Sequence, residues 1–488
     1  MFAASASSTT SLLLLAAATA SALATATATA TPLSSSPSSS QSAKSSPPHV
    51  LAGRDVGVAA TLAPLEQPSQ VLFGSWVDMI GGTDTPAQTN DRFGFHKLGL
   101  FQTNMNIPDD LKNVPQLIAK IADTNTDAIV YLTVYPMNGF DAVTDAHIQE
   151  LGGYLKTAAD AGRRFMIRYA PEMNGNWFVY GQDPVAFIAG WRRFVTAMRA
   201  IVDNSKIAFL WSPNSSNGYP FLGGAHQPVN ATAILTHLDT NKDGKFDMWD
   251  DPYSPYYPGD DYVSWTGLSM YHYGKAYPWV DNVLPPAGVF EAMLTGQVNY
   301  ANGNYGVYNF YSMFAGDGRG QNVTTPVSAG GKPFMISETA AVFHQGYLKP
   351  GQSFDQATYL YPGPGILAIK QTWWRQIFNQ TLFAQFPKLK GICFFEFRKQ
   401  EEETLREFRV LGDHLTGNFS SADENTVKNA FVADVKEYES KIRWAAPAGK
   451  AGVASVDGGS NGAMTTTSAS GVVGVAAMVV ALVTALLA

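Results

Sequence analysis

Cysteine is almost absent from this chain of 488 residues, which contains only Cys393. A single cysteine excludes an intrachain disulfide, and its position in the apolar run GICFFEF favours a buried, inert thiol over a nucleophile. Charged residues are also scarce, at 15% of the chain, whereas 45% of residues are hydrophobic and 12% are aromatic. This balance excludes a disordered protein and predicts one large hydrophobic core.

Basic residues are in the minority, and no basic run is interleaved with aromatic side chains. The chain has 33 Lys and Arg against 40 Asp and Glu, which gives a formal net charge of −7. Nothing in this pattern would neutralise a row of phosphates, so we expect no nucleic-acid partner. The first predicted helix also lacks the G-x-G-x-x-G motif that opens dinucleotide-binding sheets.

Both ends of the chain have the composition of processing signals. Residues 1 to 24 contain an apolar run and end in Ala-Leu-Ala, which predicts a secretory signal peptide. Residues 471 to 488 are apolar with no basic flank, and a polar spacer with small residues precedes them. This favours a glycosylphosphatidylinositol attachment signal over a tail-anchored helix. We therefore expect a secreted protein at the cell surface or wall that meets a membrane only through a lipid anchor.

Low-complexity stretches separate these signals from one folded body. Residues 25 to 65 are Ala/Thr repeats and Ser/Pro tracts, a composition typical of O-glycosylated stalks. Residues 445 to 470 are rich in Gly, Ala and Ser and form a linker with the predicted anchor attachment region. Between them, residues 66 to 444 are predicted to form a single domain, which we expect to be monomeric.

Eight short apolar runs in this domain alternate with longer segments of helical periodicity. The runs begin at Val71, Lys97, Asp127, Arg163, Lys206, Tyr262, Lys332 and Lys390. Apolar strands separated by helical crossovers call for a parallel sheet buried on both faces. The clearest helix follows the fourth run, where Asp183 can cap it and Pro184 occupies its first turn. Eight such units predict the α/β class and a (β/α)8 TIM barrel, with an open doubly wound sheet as the alternative.

Two glutamates lie at predicted strand ends, where barrel enzymes carry their catalytic groups. Glu172 follows the fourth run in RYAPEMNGNWF, and Glu338 ends the seventh run in PFMISE. Strands four and seven face each other across a barrel mouth, so these carboxylates can approach the roughly 5 to 5.5 Å that double displacement at a sugar requires. The alternative for either glutamate is a salt bridge at the mouth.

Polar and aromatic side chains near these strand ends are of the kinds that contact sugar rings. The candidates for substrate binding are Arg168, Asn174, Trp177, Trp76, Trp211, Tyr271, His272 and Phe395. Core packing is the alternative for each aromatic ring, and we favour it for Trp191 and Trp265.

The run from Arg168 to Trp177 resembles the acid/base strand of family 26 glycoside hydrolases, typically β-mannanases, in which R-x-x-H-E-M-N-G-x-W surrounds the catalytic acid. The likeness extends to WSPN from Trp211, GLSMY from Gly267 and ISE at Glu338, and so spans most of residues 70 to 410. This resemblance implies a retaining (β/α)8 enzyme that acts on β-1,4-mannan or another β-glycan.

The resemblance also implies a role for individual residues. Glu172 would be the general acid/base and Glu338 the nucleophile. Arg168 would support the site, Trp177 would be a sugar platform, and Tyr271 would be the partner of the nucleophile.

Two positions depart from the family pattern. Pro171 stands where the family has a histidine, which removes an imidazole from beside the reacting sugar. The eighth run carries Glu396 and Arg398 where the family more often has a tryptophan. We expect Glu396 to form a structural ion pair with Arg398 or another arginine.

The acidic segment DTNKDGKFDMWD has the spacing of an EF-hand calcium loop. Gly244 falls at position 6, where the sharp turn needs it, and Phe246 at the hydrophobic position 8. The predicted metal ligands are Asp239, Asn241, Asp243, Lys245, Asp247 and Asp250. We expect a structural Ca²⁺ here and no cofactor for the chemistry, with an acidic surface turn as the alternative.

The sequence thus predicts a retaining β-glycoside hydrolase whose partner is a cell-wall polysaccharide. β-1,4-Mannan is the first choice of substrate, and β-glucan or xylan comes next. A cell-wall transglycosylase would use the same two carboxylates. A surface glycan-binding protein without activity is the remaining alternative.

Overall fold

The computed structural model describes residues 62–79, 84–275, 279–300, 303–316, 331–347, 352, 356, 358–359, 363–401, 404–412 and 421–449. The predicted signal peptide, nearly all of the stalk, most of the linker and the apolar tail lie outside the described residues. Within the described ranges, no helix is both long enough and apolar enough to cross a membrane.

Parallel strands form the centre of the molecule. In chain order the strands are β1 (Val71–Trp76), β2 (Leu100–Asn106), β3 (Ile129–Tyr135), β4 (Phe165–Tyr169), β5 (Ile207–Trp211), β6 (Trp265–His272), β7 (Phe334–Ala341), β8 (Phe343–Tyr347), β9 (Thr358–Tyr359), β10 (Leu389–Phe395), β11 (Arg398–Glu401), β12 (Thr404–Glu407) and β13 (Ile442–Arg443). β1 to β7 pair in sequence, β10 pairs with β7, and β10 also pairs with β1, which closes a barrel of eight parallel strands. Each predicted apolar run forms one of these eight strands, so the predicted (β/α)8 barrel is confirmed.

Helices occupy the connections between the barrel strands. They are α1 (Pro86–Phe93), α2 (Val114–Ala122), α3 (Asp145–Asp160), α4 (Pro184–Ile201), α5 (Ala231–His237), α6 (Val289–Thr295), α7 (Ile366–Ile377), α8 (Gln380–Gln385) and α9 (Ser421–Lys436). α4 begins as predicted, because the Asp183 carboxylate accepts a hydrogen bond from the backbone N–H of Ala186 at 3.0 Å and Pro184 follows the cap. The missing N–H of this proline costs the helix nothing at its first turn.

Alternation along the strands divides the core into two layers. Leu100, Met166 and Cys393 belong to the cluster that fills the barrel interior, whereas Phe101 and Ile167 pack in the larger layer between barrel and helices. Successive strand residues point to opposite faces, so each strand serves both layers. The thiol of Cys393 is buried in the inner layer, as the sequence predicted.

A smaller antiparallel sheet extends from the barrel. Its strand order is β11-β12-β8-β9. β8 follows β7 after the single residue Val342, and β11 follows β10 after two residues. Because β7 and β10 are neighbours in the barrel, the smaller sheet continues from their carboxyl ends, which is the end that carries catalytic groups in such folds.

The predicted calcium loop follows α5 and is closed by hydrogen bonds between carboxylates and backbone amides. Asp239 accepts from the N–H of Gly244 at 2.9 Å, and Asp250 accepts from the N–H groups of Thr240 at 2.7 Å and Asp247 at 2.9 Å. In the part of the chain that the structure describes, no group of three or more His, Cys, Asp or Glu is arranged to hold a metal ion. Calcium binding by this loop therefore stays a prediction.

Candidate active site

The two predicted glutamates meet around one guanidinium at the barrel mouth. Arg168, in β4, has no exposed side-chain surface. Its Nη1 lies 2.8 Å from Oε1 of Glu338, in β7, and its Nη2 lies 3.8 Å from Oε1 of Glu172, just after β4. The sequence-predicted carboxylates are therefore neighbours in space, although 166 positions separate them in the chain.

A β-bulge in β7 turns Glu338 toward the site. Leu268 of β6 pairs with Ile336, but the next residue of β6, Ser269, pairs with Glu338, so Ser337 is an extra residue in β7. Met335 lies in the inner layer of the barrel. Without the extra residue, strict alternation would direct Glu338 to the helical layer, and the bulge re-aims it.

The turn that carries Glu172 has an uncommon backbone. Ala170 and Glu172 have φ values of 42° and 56°, a region that side-chain-bearing residues seldom adopt. Pro171 lies between them, and its carbonyl accepts a hydrogen bond from the Tyr180 hydroxyl at 2.9 Å. The N–H of Glu172 donates to the carbonyl of Ser212 at 2.9 Å. A residue of the same loop, Tyr180, and a residue after β5, Ser212, thus hold the turn in place.

The two oxygens of Glu338 have different partners. Oε1 accepts a hydrogen bond from Gln102 Nε2 at 2.7 Å and forms the ion pair with Arg168. Oε2 accepts one hydrogen bond, from the hydroxyl of Tyr271 at 3.2 Å. Tyr271 therefore lies where the resemblance would place the partner of the nucleophile. Oε2 keeps more lone-pair capacity than Oε1, so it is the oxygen better able to form a new bond.

The carboxyl group of Glu172 has a raised pKa, which suits a proton donor. Burial raises the pKa most, the positive charge of Arg168 opposes this shift, and the negative charge of Glu338 adds to it. Its Oε2 also accepts a hydrogen bond from the indole N–H of Trp177 at 2.9 Å. One carboxylate bound by strong donors next to another whose pKa is raised is the arrangement that separates a nucleophile from a general acid.

The indole of Trp177 is held close to the chain by a glycine. A Cβ atom added at Gly175 would lie 2.3 Å from the indole Cη2, a distance that atoms do not tolerate. On its other side, the ring packs edge-on against Phe221, with centroids 5.1 Å apart. The ring that the sequence predicted as a sugar platform is thus fixed, and half-buried, beside the candidate acid/base.

Aromatic rings form a continuous cluster beside the candidate nucleophile. The rings of Trp76 and Phe395 have centroids 5.0 Å apart, and those of Phe395 and Tyr271 are 6.1 Å apart. The indole N–H of Trp76 donates to Oδ1 of Asn104 at 3.2 Å. Three of the predicted sugar contacts, on β1, β6 and β10, are therefore gathered by the closure of the barrel.

Two other predicted sugar contacts lie in the helical layer instead. Trp211 is fully buried, and its ring stacks on Phe310 with centroids 5.8 Å apart. His272 is buried, its Nε2 lies 3.1 Å from the carbonyl oxygen of Val283, and burial lowers its pKa to about 4. Alternation explains both placements, because the neighbouring residue in each strand takes the other face. Neither side chain is available to a sugar in this structure.

Asn174 also has a different place from the predicted one. Its side-chain Nδ2 donates to the carbonyl of Asn214 at 2.9 Å, and its Oδ1 accepts from the N–H of the same residue at 2.9 Å. The amide is buried and its donor and acceptor ends are both used. Asn174 therefore joins the loop after β4 to the loop after β5 and does not face the mouth.

Three polar residues around the carboxylates were not predicted from the sequence. Gln102 contacts Glu338, Ser269 Oγ accepts a hydrogen bond from Arg168 Nη2 at 2.6 Å, and Tyr135 is half-buried at the end of β3. The pKa of the Tyr135 hydroxyl is raised by burial and by the charge of Glu338. The signal that could have found Gln102 is a large polar side chain directly after Leu100 and Phe101, in a strand predicted to be buried on both faces, since such a group needs a buried partner.

Glu396 has a structural role, but not the predicted one. Its two carboxylate oxygens accept hydrogen bonds from the backbone N–H groups of Val410 at 2.8 Å and Leu411 at 2.9 Å. The predicted ion pair with an arginine is replaced by these backbone bonds, which fasten the segment after β12 to the end of β10. Glu396 is thus anchored away from the pair formed by Glu172 and Glu338.

Fold and site together define a (β/α)8 barrel with two carboxylates and an arginine at the carboxyl end of its strands. No family model and no curated protein matches this chain. Solved structures that it resembles include an endo-β-1,4-mannanase double mutant from Cellulomonas fimi, with a TM-score of 0.42 and 13% identity over 77% of this chain and 72% of that one. GH26C from Muricauda sp. also has a TM-score of 0.42, with 12% identity over 77% of this chain and 87% of that one.

A third similar structure is the GH26 domain of an endo-β-mannanase/endo-β-glucanase from Prevotella bryantii. It has a TM-score of 0.36 and 12% identity, over 75% of this chain and 90% of that one. The strand order of this chain itself defines the barrel. A fold does not determine a function, which depends on the residues at the site.

Proposed function

We propose that this protein is a retaining β-glycoside hydrolase that acts on a cell-wall polysaccharide. The observation that carries the proposal is the pair formed by Glu172 and Glu338, which share one buried arginine but differ in their other partners. Retaining glycosidases need one carboxyl group that is protonated and another that is ionised, on either side of the same sugar.

In the first step, the neutral carboxyl of Glu172 protonates the glycosidic oxygen while Glu338 attacks the anomeric carbon. The bond from this carbon to the leaving oxygen breaks, and a bond to the Glu338 carboxylate forms. We expect Oε2 of Glu338 to attack, because Oε1 is engaged by Gln102 and Arg168. Tyr271 must then give up its hydrogen bond to Oε2 as the new bond forms.

In the second step, water attacks the anomeric carbon and displaces the carboxylate of Glu338. Glu338 has become a neutral ester, so its negative charge no longer raises the pKa of Glu172. The pKa of Glu172 falls, and its carboxylate can take the proton from the attacking water. The sugar leaves with its original anomeric configuration, and both carboxyl groups return to their starting states.

β-1,4-Mannan is the substrate that we propose first. The support for it is the likeness between the run from Arg168 to Trp177 and the acid/base strand of β-mannanases. β-Glucan and xylan come next, because Pro171 replaces the histidine that this likeness would place beside the sugar. The aromatic cluster of Trp76, Tyr271 and Phe395 would stack on sugar rings of any of the three.

The test is to incubate the mature protein with mannan, β-glucan and xylan oligosaccharides and to follow the products by mass and by proton NMR. Products that appear first as the β-anomer support double displacement, and products that appear first as the α-anomer contradict it. Longer oligosaccharides would indicate glycosyl transfer through the same intermediate. No change in any glycan would refute an enzymatic function and favour a glycan-binding protein.

Variants in the same assay distinguish the loss of a catalytic group from a general effect on the fold. We expect Glu172→Ala and Glu338→Ala each to lower kcat by about 100- to 10,000-fold. Glu150→Ala, which removes an exposed glutamate on α3, is the matched control and should retain full activity. An active Glu338→Ala variant would refute the assignment of the nucleophile.

A further inference from the structure

A buried chain of hydrogen bonds leads from the barrel interior to the candidate nucleophile. The thiol of Cys393 donates to Oε1 of Gln102 at 3.2 Å. Nε2 of Gln102 donates to Oε1 of Glu338 at 2.7 Å and to Oγ1 of Thr133 at 2.9 Å. Cys393, Gln102 and Thr133 have no solvent-exposed surface. The chain joins β10, β2, β3 and β7 in one network.

The amide group of Gln102 fixes which partner donates and which accepts in each hydrogen bond of this network. A carboxylate is only an acceptor, so the NH2 end of Gln102 must face Glu338. Both protons of that end are used, one by Glu338 and one by Thr133. The carbonyl end of the amide then needs a donor inside an otherwise apolar layer, and Cys393 is the donor that it has.

The thiol is suited to this position because it stays protonated. Burial raises the pKa of Cys393 well above its ordinary value, and the nearby charge of Glu338 raises it further. A protonated thiol keeps its S–H available for donation over the whole range in which the enzyme would work. This gives a use for the single cysteine that does not involve nucleophilic attack, metal binding or a disulfide.

We propose that Gln102 is a positioning residue for the nucleophile and that Cys393 holds the Gln102 amide in its working orientation. The proposal rests on the proposed function. Gln102 is fully buried behind Glu338 and acts through it without touching the sugar. Because Gln102 binds Oε1, Oε2 remains the oxygen available for attack on the anomeric carbon.

Removal of this donor leaves the carboxylate of Glu338 free to turn away from the geometry of attack. Because Gln102 does not touch the sugar, its loss should slow the chemical step and leave substrate binding unchanged. The variant should therefore lower kcat at a nearly unchanged KM. A merely structural role for Gln102 would lower the folded fraction without lowering kcat per folded molecule.

The experiment compares Gln102→Leu, Cys393→Ala and Cys393→Ser with the wild-type protein on the glycan that it cleaves. We expect Gln102→Leu to lower kcat by about 10- to 100-fold, the worth of a hydrogen bond to a charged group, with KM nearly unchanged. Cys393→Ala should lower kcat by less, and Cys393→Ser, which restores a donor, should return kcat toward the wild-type value.

The matched control is Thr103→Val, which removes a buried hydroxyl from the opposite face of the same strand. Thr103 Oγ1 has no hydrogen-bond partner among the described residues, so this variant should keep the wild-type kcat. Equal kcat values per folded molecule in the wild-type, Gln102→Leu and Cys393→Ala proteins would overturn the inference. If Gln102→Leu does not fold, the comparison of Cys393→Ala with Cys393→Ser still decides the orienting role of Cys393.

A second measurement separates this inference from the proposed function. The side-chain amide of Gln102 can be followed by ¹⁵N NMR of labelled glutamine, without any substrate. A change of its N–H signals in Cys393→Ala that Cys393→Ser reverses supports the orienting role even if no glycan is cleaved. Unchanged signals in Cys393→Ala overturn it even if the protein is an active hydrolase.

Discussion

Arg168 and Glu338 form an ion pair inside the barrel, with 2.8 Å between Nη1 and Oε1 and no exposed surface on the guanidinium. Arginine keeps its charge even when it is buried, so this residue must be matched by a carboxylate nearby. The second carboxylate within reach of the same guanidinium, Glu172, shares that charge from 3.8 Å. The ionisation of Glu172 therefore depends on the charge of Glu338.

This dependence leads to a prediction for Glu338→Gln. The variant removes the negative charge that raises the pKa of Glu172 and leaves the positive charge of Arg168 that lowers it. Because the charge that raises the pKa is lost and the charge that lowers it stays, we expect a lower pKa for Glu172 in the variant than in the wild-type protein. ¹³C NMR titration of the labelled glutamate would measure it, and an unchanged or higher pKa would show that the two groups are not coupled.

Replacement of Trp177 by phenylalanine should move the alkaline limb of activity. The indole N–H hydrogen bond favours the ionised form of Glu172 and so lowers its pKa. Without the bond the pKa rises, and the general acid stays protonated to higher pH. We expect the alkaline limb of kcat/KM to move upward while kcat falls about 10-fold. Trp249→Phe, at an exposed tryptophan, is the control that should leave the profile in place.

Gly175→Ala should disturb the same hydrogen bond by steric contact. The added methyl group would meet the indole of Trp177 at 2.3 Å and force it to move. A displacement of about 1 Å at a catalytic group can cost about 100-fold in rate, and we expect a loss of that order. The matched control is Gly153→Ala in α3, where no atom lies within 4 Å of the new Cβ. That variant should keep its activity and gain about 0.5 kcal/mol of stability.

The buried amine of Lys370 makes the stability depend on pH. It donates to the carbonyl oxygens of Ala341 and Glu407, at 3.0 Å each, and burial lowers its pKa to about 8. Between this value and the ordinary 10.5, the unfolded chain binds more protons than the folded one, so the free energy of unfolding rises with pH. The free energy of unfolding of Lys370→Met, measured by urea denaturation, should lack this part of the rise between these pH values. The exposed Lys156→Met should retain it.

Calcium binding by the loop from Asp239 to Asp250 stays a prediction of the sequence. If the ion binds there, the melting temperature should fall in chelator and recover with added Ca²⁺, and Asp243→Ala should abolish both effects. Asp160→Ala, at an exposed site on α3, is the control. Titration calorimetry that gives no heat, with the same melting temperature in chelator, would leave the acidic surface turn as the right interpretation.

The barrel could be predicted because its signal is local and repeated. Eight apolar runs separated by helical segments allow few sheets other than a parallel one, and the two glutamates were found because they follow such runs. The direction of individual side chains was harder to predict. Trp211 and His272 lie at strand ends as expected, yet they face the helices, because the phase of alternation depends on where each strand begins.

The amino-acid sequence by itself determined which segments are strands, which helices cross between them, and which two carboxylates stand at the same end of the barrel. Only the tertiary structure decided how these groups are held. The bulge that turns Glu338, the arginine shared with Glu172, and the bond from Cys393 to Gln102 across 291 positions depend on strand register and closure. Such contacts join residues that are distant in the chain, and no local pattern of polarity encodes which partner each will meet.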